Sequence, residues 1–212
     1  MGDSIPGAVG TDPPPAGITV ASPGPPSAGF CYPGLAGEER AVAALAAAHV
    51  EGWPRCLTWG DFTELASRPP GETEDAQIHT ETAGPDEATV ERVGNGMRVR
   101  DLTLALTVIS TDTWVVGSQR TDRLLNHEQG HFDITGLVAR DMARQILRAR
   151  AQSLNELQRQ VRRLIARYNN LADRLTNQYD RQTDHGRNQA SQRKWNDQIQ
   201  QAIRSGRPLA SP

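Results

Sequence analysis

His127-Glu128-Gln129-Gly130-His131 forms an H-E-x-x-H string. On a helix, residues four apart share a face, so both imidazoles can hold one zinc ion. Glu128 then stands beside the metal, placed to take a proton from a water that zinc activates. Two incidental histidines would also give the string. Here, however, they fall on the face that carries Leu124, Ile134 and Val138. Buried paired imidazoles need a partner, and a metal is the usual one. Gly130 costs roughly 1 kcal/mol relative to Ala inside a helix, which points to a close approach to the backbone there.

Catalytic zinc takes a third protein ligand and keeps its fourth position open. The metzincin continuation is excluded, because Ile134 and Leu137 stand where it needs glycine and histidine. Asn155-Glu156 has the spacing of a thermolysin-like third ligand. A zinc helix running to about residue 149 would, however, end roughly 27 Å from His131. A second helix returning from there reaches the metal near residues 171–175. Just beyond lies Tyr179-Asp180-Arg181-Gln182-Thr183-Asp184-His185-Gly186. Ten extended residues span roughly 30 Å, so this segment can reach the ion. His185 is favoured as third ligand, since histidine suits zinc better than a lone aspartate and Gly186 lets the turn bend. Asp180 and Asp184 are the alternatives, and an acidic residue that is not a ligand could orient an imidazole. Tyr179 either donates to a tetrahedral oxyanion or ends the helix core. His49 and His79 read as ordinary helix and strand residues. Asp133 lies about 200° around the helix from His131 and cannot join the set.

The elements that must position these groups follow from periodicity. Thr121 is an N-cap for a helix over 121–149. Leu154, Leu157, Val161, Leu164, Tyr168, Leu171 and Leu175 form a heptad-like seam that predicts a second helix ending at Tyr179, packed antiparallel on the first. Trp195, Ile199 and Ile203 predict a third helix over about 187–204. Upstream the chain reads as β-rich: strands at 56–59, 76–80, 88–93, 102–108 and 114–116, a polar loop at 67–75, and a Gly94-Asn95-Gly96 turn. Trp114-Val115-Val116 precedes the zinc helix and could be an edge strand that pairs with an extended substrate. The fold class is therefore α+β: a small antiparallel or mixed sheet packed on a long zinc helix, then an antiparallel helical hairpin and a C-terminal helix.

Residues 1–35 hold eight of the fourteen prolines. Such a segment cannot bury enough apolar surface to order itself, so it reads as a disordered leader ahead of a single domain over 36–206. A helix is expected over 38–50, closed by Trp53-Pro54. No apolar run is long enough to span a membrane, and the N-terminus has no basic n-region or apolar h-region of a Sec signal. Cys31 and Cys56 exclude a disulfide-dense scaffold and a four-cysteine zinc site, and could pair once if the protein is exported. Net charge is −2, but residues 1–119 carry −10 and residues 120–212 carry +8. The basic half permits an acidic partner. A nucleic-acid partner is disfavoured, because no recognised motif or aromatic–basic interleaving accompanies the charge.

With these residues in place, the chain resembles a bacterial family labelled domain of unknown function 922, described as predicted secreted zinc-dependent proteases. Leu57-Thr58-Trp59-Gly60-Asp61-Phe62 is similar to its W-x-D-F element. Leu125-Asn126-His127-Glu128-Gln129-Gly130-His131-Phe132-Asp133 is similar to its L-x-H-E-Q-x-H-F-D core. Tyr179-Asp180 through Thr183-Asp184-His185-Gly186, with Gln189 and Trp195, is similar to its C-terminal Y-D-x-x-T-x-H-G element. The resemblance covers about residues 55–205. It implies a zincin-type metallopeptidase, exported or extracellular, with His127, His131 and His185 as zinc ligands, Glu128 as general base and a peptide or protein substrate. The competing expectation is a non-catalytic helical interaction module, stabilised by zinc, that binds an acidic partner.

Overall fold

A computed structural model describes residues 50–84 and 88–210. The leader, Cys31 and most of the expected 38–50 helix lie outside the described residues. The last residue of that expected helix, Val50, is instead in a strand.

Among the described residues eight short strands precede three helices: β1 Val50–Glu51, β2 Thr63–Leu65, β3 Ala76–Gln77, β4 Thr80–Ala83, β5 Thr89–Val93, β6 Gly96–Asp101, β7 Leu104–Val108, β8 Trp114–Val116, α1 Asp122–Arg148, α2 Leu154–Thr183 and α3 Gln189–Ser205. They form three small sheets rather than one: β1-β7-β4, β2-β8-β3 and the β5-β6 hairpin. β7 runs parallel to β1 and antiparallel to β4, and β8 runs parallel to β2 and antiparallel to β3. The architecture is α+β. Among the described residues no helix is long and apolar enough to cross a membrane.

Two strand expectations are corrected. Cys56 to Trp59 is not a strand. Thr58 Oγ1 accepts from Gly60 N, and Asp61 Oδ2 accepts from Thr58 N, which caps a 3-10 turn over Trp59–Asp61. These local bonds engage backbone groups that a ladder would have used. Strand β8 is not an edge either. It is the centre of its sheet, buried at all three residues and hydrogen-bonded on both sides, so it cannot receive a peptide. The expected 76–80 strand splits into β3 and β4. Between them Ile78 N donates to Glu128 Oε2 and His79 N to Thr113 Oγ1, side-chain acceptors in place of a ladder.

The helices follow the periodicity closely. Thr121 caps α1 by accepting from Leu124 N, and Ser153 caps α2 by accepting from Glu156 N. Glu156 Oε2 also accepts from Gln152 N, so this residue serves the helix start. α1 is buried over most of its surface from His127 to Ile146, which makes it the spine of the molecule. Gly136 belongs to this packing, because a Cβ there would collide with the Trp53 ring. α2 lies antiparallel to α1, with Tyr179 against His127 and Gly130. It continues four residues past the expected end at Tyr179, which places Asp180 on the helix. Trp195, Ile199 and Ile203 bury the inner face of α3 as expected.

Candidate metal centre

The first turns of α1 present His127 and His131 four residues apart, with ring planes 87° to one another and Nε2 atoms 3.3 Å apart. The last turn of α2 brings Asp180 against them. Its Oδ1 lies 2.8 Å from His131 Nε2 and 3.2 Å from His127 Nε2. Donors bound to a tetrahedral zinc at about 2.0–2.1 Å stand about 3.3 Å from one another, close to the spacing of these three atoms. Asp180 Oδ1 is buried and has no hydrogen-bond partner of acceptable geometry, despite two imidazole nitrogens within reach. Burial alone would raise the Asp180 carboxyl. The adjoining His127 and His131 outweigh it and hold the group well below the usual carboxylate range.

His185 stands at the rim. His127, Asp180 and His185 each offer a ligand atom within 4.8 Å of the others and form a group that could hold a metal ion. His185 Nδ1 lies 3.9 Å from Asp180 Oδ1 but only 2.9 Å from Glu74 Oε1. Asp184 is exposed and faces Arg187, away from the site. The turn that carries His185 is tight: Asp184 and His185 adopt left-handed φ values of 48° and 49°, followed by Gly186 at 76°. Such conformations are costly for residues with a Cβ and persist where surrounding structure enforces them. Thr183 does so, donating through Oγ1 to Tyr179 O and accepting from Gly186 N.

Glu128 is 3 % exposed. Burial pushes its carboxyl up to about 7, with His127 and the Ile78 N–H opposing the rise. It opens onto a cleft of about 710 Å³. Segment 76–82 forms one wall, α1 the floor, and Asn169, Asp173, Thr176 and Asp180 of α2 the other wall.

Tyr179 does not face this cleft. It is fully buried, stacked on His127 with centroids 4.7 Å apart, and its hydroxyl donates to His127 O. Burial pushes its phenol well above the usual range. The oxyanion-donor expectation is corrected accordingly: the ring packs under His127, and Gly130 is small because Tyr179 lies against it.

The remaining residues of the string hold the centre in place. Gln129 Oε1 accepts from Leu57 N, and Gln129 Nε2 donates to Arg55 O and Asp133 Oδ2. Asp133 Oδ1 accepts from Trp53 Nε1, on the side of α1 away from His127 and His131. Two polar residues at the centre were missed in the sequence. Glu74 sits in a loop whose polarity marks only a loop. Gln192 sits on a helix patterned with many polar residues. It is 2 % exposed, and its Oε1 lies 3.3 Å from His127 Nδ1.

No curated protein and no solved structure matches the chain. A family described as "Bacterial protein of unknown function (DUF922)" matches residues 73–186. That span runs from the loop bearing Glu74 to Gly186, includes the H-E-x-x-H string and Asp180, and covers more than half of the sequence. The chain belongs to this family.

Proposed function

We propose that the protein is a zinc-dependent metallopeptidase in which His127, His131 and Asp180 hold the ion and Glu128 is the general base. The observation that carries this reading is the convergence of three ligand atoms, one of them a buried oxygen without a hydrogen bond, beside a buried glutamate in an open cleft. Zinc, when bound, supplies Lewis-acid polarisation of a carbonyl and activation of water. The chain's own residues do the rest. Ile78 N–H holds Glu128 Oε2, which leaves the other carboxylate oxygen to take a proton from the attacking water. The water oxygen bonds to the carbonyl carbon, the C–N bond breaks, and Glu128 returns the proton to the departing amine. β4 ends its sheet among the described residues, and its open edge lines the cleft, so it replaces β8 as the strand that aligns an extended substrate. In this reading Asp180 takes the third ligand position ahead of His185, which also belongs to the group that could hold the ion, because Glu74 engages His185 Nδ1.

Zinc content and peptide-library cleavage test this reading on the full chain. Wild type is expected to hold about one zinc and to cleave peptides. Asp180→Ala loses the metal, and His185→Ala keeps it. Glu128→Gln keeps the metal and loses at least about 10²-fold in activity, the scale of general-base catalysis. Zinc-free wild type in a folded state ends the reading. Zinc without any cleavage moves the weight to a zinc-stabilised helical interaction module.

A further inference from the structure

We infer that Gln192, on α3 and beyond the span of the family match, presets His127 in the tautomer that offers its Nε2 lone pair to a metal. One direction of the surrounding hydrogen bonds satisfies every group, since reversed amides would take the Tyr179 proton away from His127 O. The His127 backbone carbonyl can only accept, so the Tyr179 hydroxyl, 3.0 Å away, donates to it. With its proton committed there, the Tyr179 oxygen accepts, and the end of the Gln192 amide 2.6 Å from it is the NH₂. The second hydrogen of that NH₂ goes to Asn196 Oδ1 at 2.9 Å, and Asn196 in turn donates to Asn126 Oδ1. The Gln192 carbonyl oxygen therefore faces His127 Nδ1, and only a protonated Nδ1 satisfies it.

A neutral imidazole with its hydrogen on Nδ1 carries a lone pair on Nε2. That atom is the one 3.3 Å from His131 Nε2 and 3.2 Å from Asp180 Oδ1. The opposite tautomer would set a ring lone pair against the Gln192 oxygen. Gln192, His127 and Tyr179 are all at most 3 % exposed, so little solvent is at hand to relieve that clash. Asp180 Oδ1, 3.2 Å from Nε2, pulls towards the opposite tautomer, but it lacks the geometry of a hydrogen bond with that nitrogen. Gln192 is thus a positioning residue that acts through His127. Its consequence for metal binding rests on the metallopeptidase reading; the tautomer itself does not.

Metal-free full-length chain is the material for the test. Long-range ¹H–¹⁵N correlation spectra, recorded where the imidazole is neutral, report which ring nitrogen of His127 bears hydrogen. Wild type is expected to show Nδ1–H. Gln192→Met is expected to show a mixture, with zinc affinity by chelator competition lowered about 10- to 100-fold. Gln192→Glu keeps an acceptor at Nδ1, its second oxygen accepting from a reoriented Tyr179 hydroxyl in place of the NH₂, and is expected to retain the tautomer and lose less zinc affinity than the Met variant. A hydrogen on Nε2 in wild type overturns the inference. Equal loss of zinc affinity in the Met and Glu variants also overturns it, because a space-filling role predicts that result. Should the Met variant fail to fold, the wild-type spectrum and the Glu variant decide. Nδ1–H in a wild type that binds no zinc supports the inference and ends the metallopeptidase reading.

Discussion

A methyl group at Gly130 would stand 2.5 Å from Tyr179 Cζ and closer still to the hydroxyl. Replacing glycine by alanine in a helix ordinarily gains roughly 1 kcal/mol. Here the ring cannot retreat: it is fully buried, stacked on His127 and set edge-on to Trp195 with centroids 5.4 Å apart. Overpacking of this kind costs about 1–3 kcal/mol, so steric strain outweighs propensity. Gly130→Ala is expected to lower stability in urea unfolding at an unchanged m-value and to weaken zinc binding by tilting His127. A more stable variant would refute the packing. At this scale the sequence was legible where covalent spacing decides. The i and i+4 relation pairs His127 with His131, and a glycine between them signals a close neighbour without naming Tyr179. Tyr179 was ambiguous, since a buried ring and a cleft donor look alike in one dimension. Gln192 gave no signal, because only the packing of α3 on α1 buries it.

Helix α2 explains why Asp180 was harder to read than the histidines. The apolar seam stops at Tyr179, and the four residues after it are all polar, so periodicity ends the helix one turn early. The structure continues it to Thr183 and turns at once, which carries Asp180 inward and leaves His185 at the rim. The sheets were less legible still. A strand of three apolar residues reads alike at an edge or at a centre, and β8 is central because distant β2 and β3 flank it. The turn after α2 supports a direct prediction. Thr183→Val preserves shape but leaves the Gly186 N–H without its acceptor in a buried place, a loss of about 1–3 kcal/mol. Thr183→Ser keeps the hydroxyl and is expected to recover most of that stability, missing about one methyl group of burial. Amide hydrogen exchange at Gly186 should quicken in the valine variant alone. Equal exchange in both variants would mean that the hydroxyl does not hold the turn.

Charge decides more at the scale of the whole molecule. The boundary between the acidic and basic halves of the chain runs along the cleft: one wall comes from residues 72–82 and the opposite wall from α2. Among the described residues that line it, Glu72, Glu74, Glu81, Glu128, Asp173 and Asp180 are carboxylates, and no lysine or arginine joins them. A Zn²⁺ ion held by Asp180 would offset the charges of Asp180 and of Glu128, whose carboxyl burial already pushes up to about 7, and leave the other four. Such a concave surface focuses a negative field and raises the local concentration of cations, with effects on association of roughly 10–10³-fold. If the proposed peptidase activity holds, a peptide with Lys or Arg near the scissile bond is therefore expected to be cleaved at least about 10-fold more efficiently, in kcat/KM, than its Asp or Glu counterpart. Raising ionic strength from about 0.01 M to about 1 M shortens the screening length from about 30 Å to about 3 Å, so most of that preference should vanish with salt. Glu72→Gln combined with Asp173→Asn should reduce it at low salt while leaving zinc content unchanged, because neither residue reaches the ligand atoms. A preference for acidic peptides, or one insensitive to salt, would show that side-chain fit in the cleft selects the substrate and that its field does not.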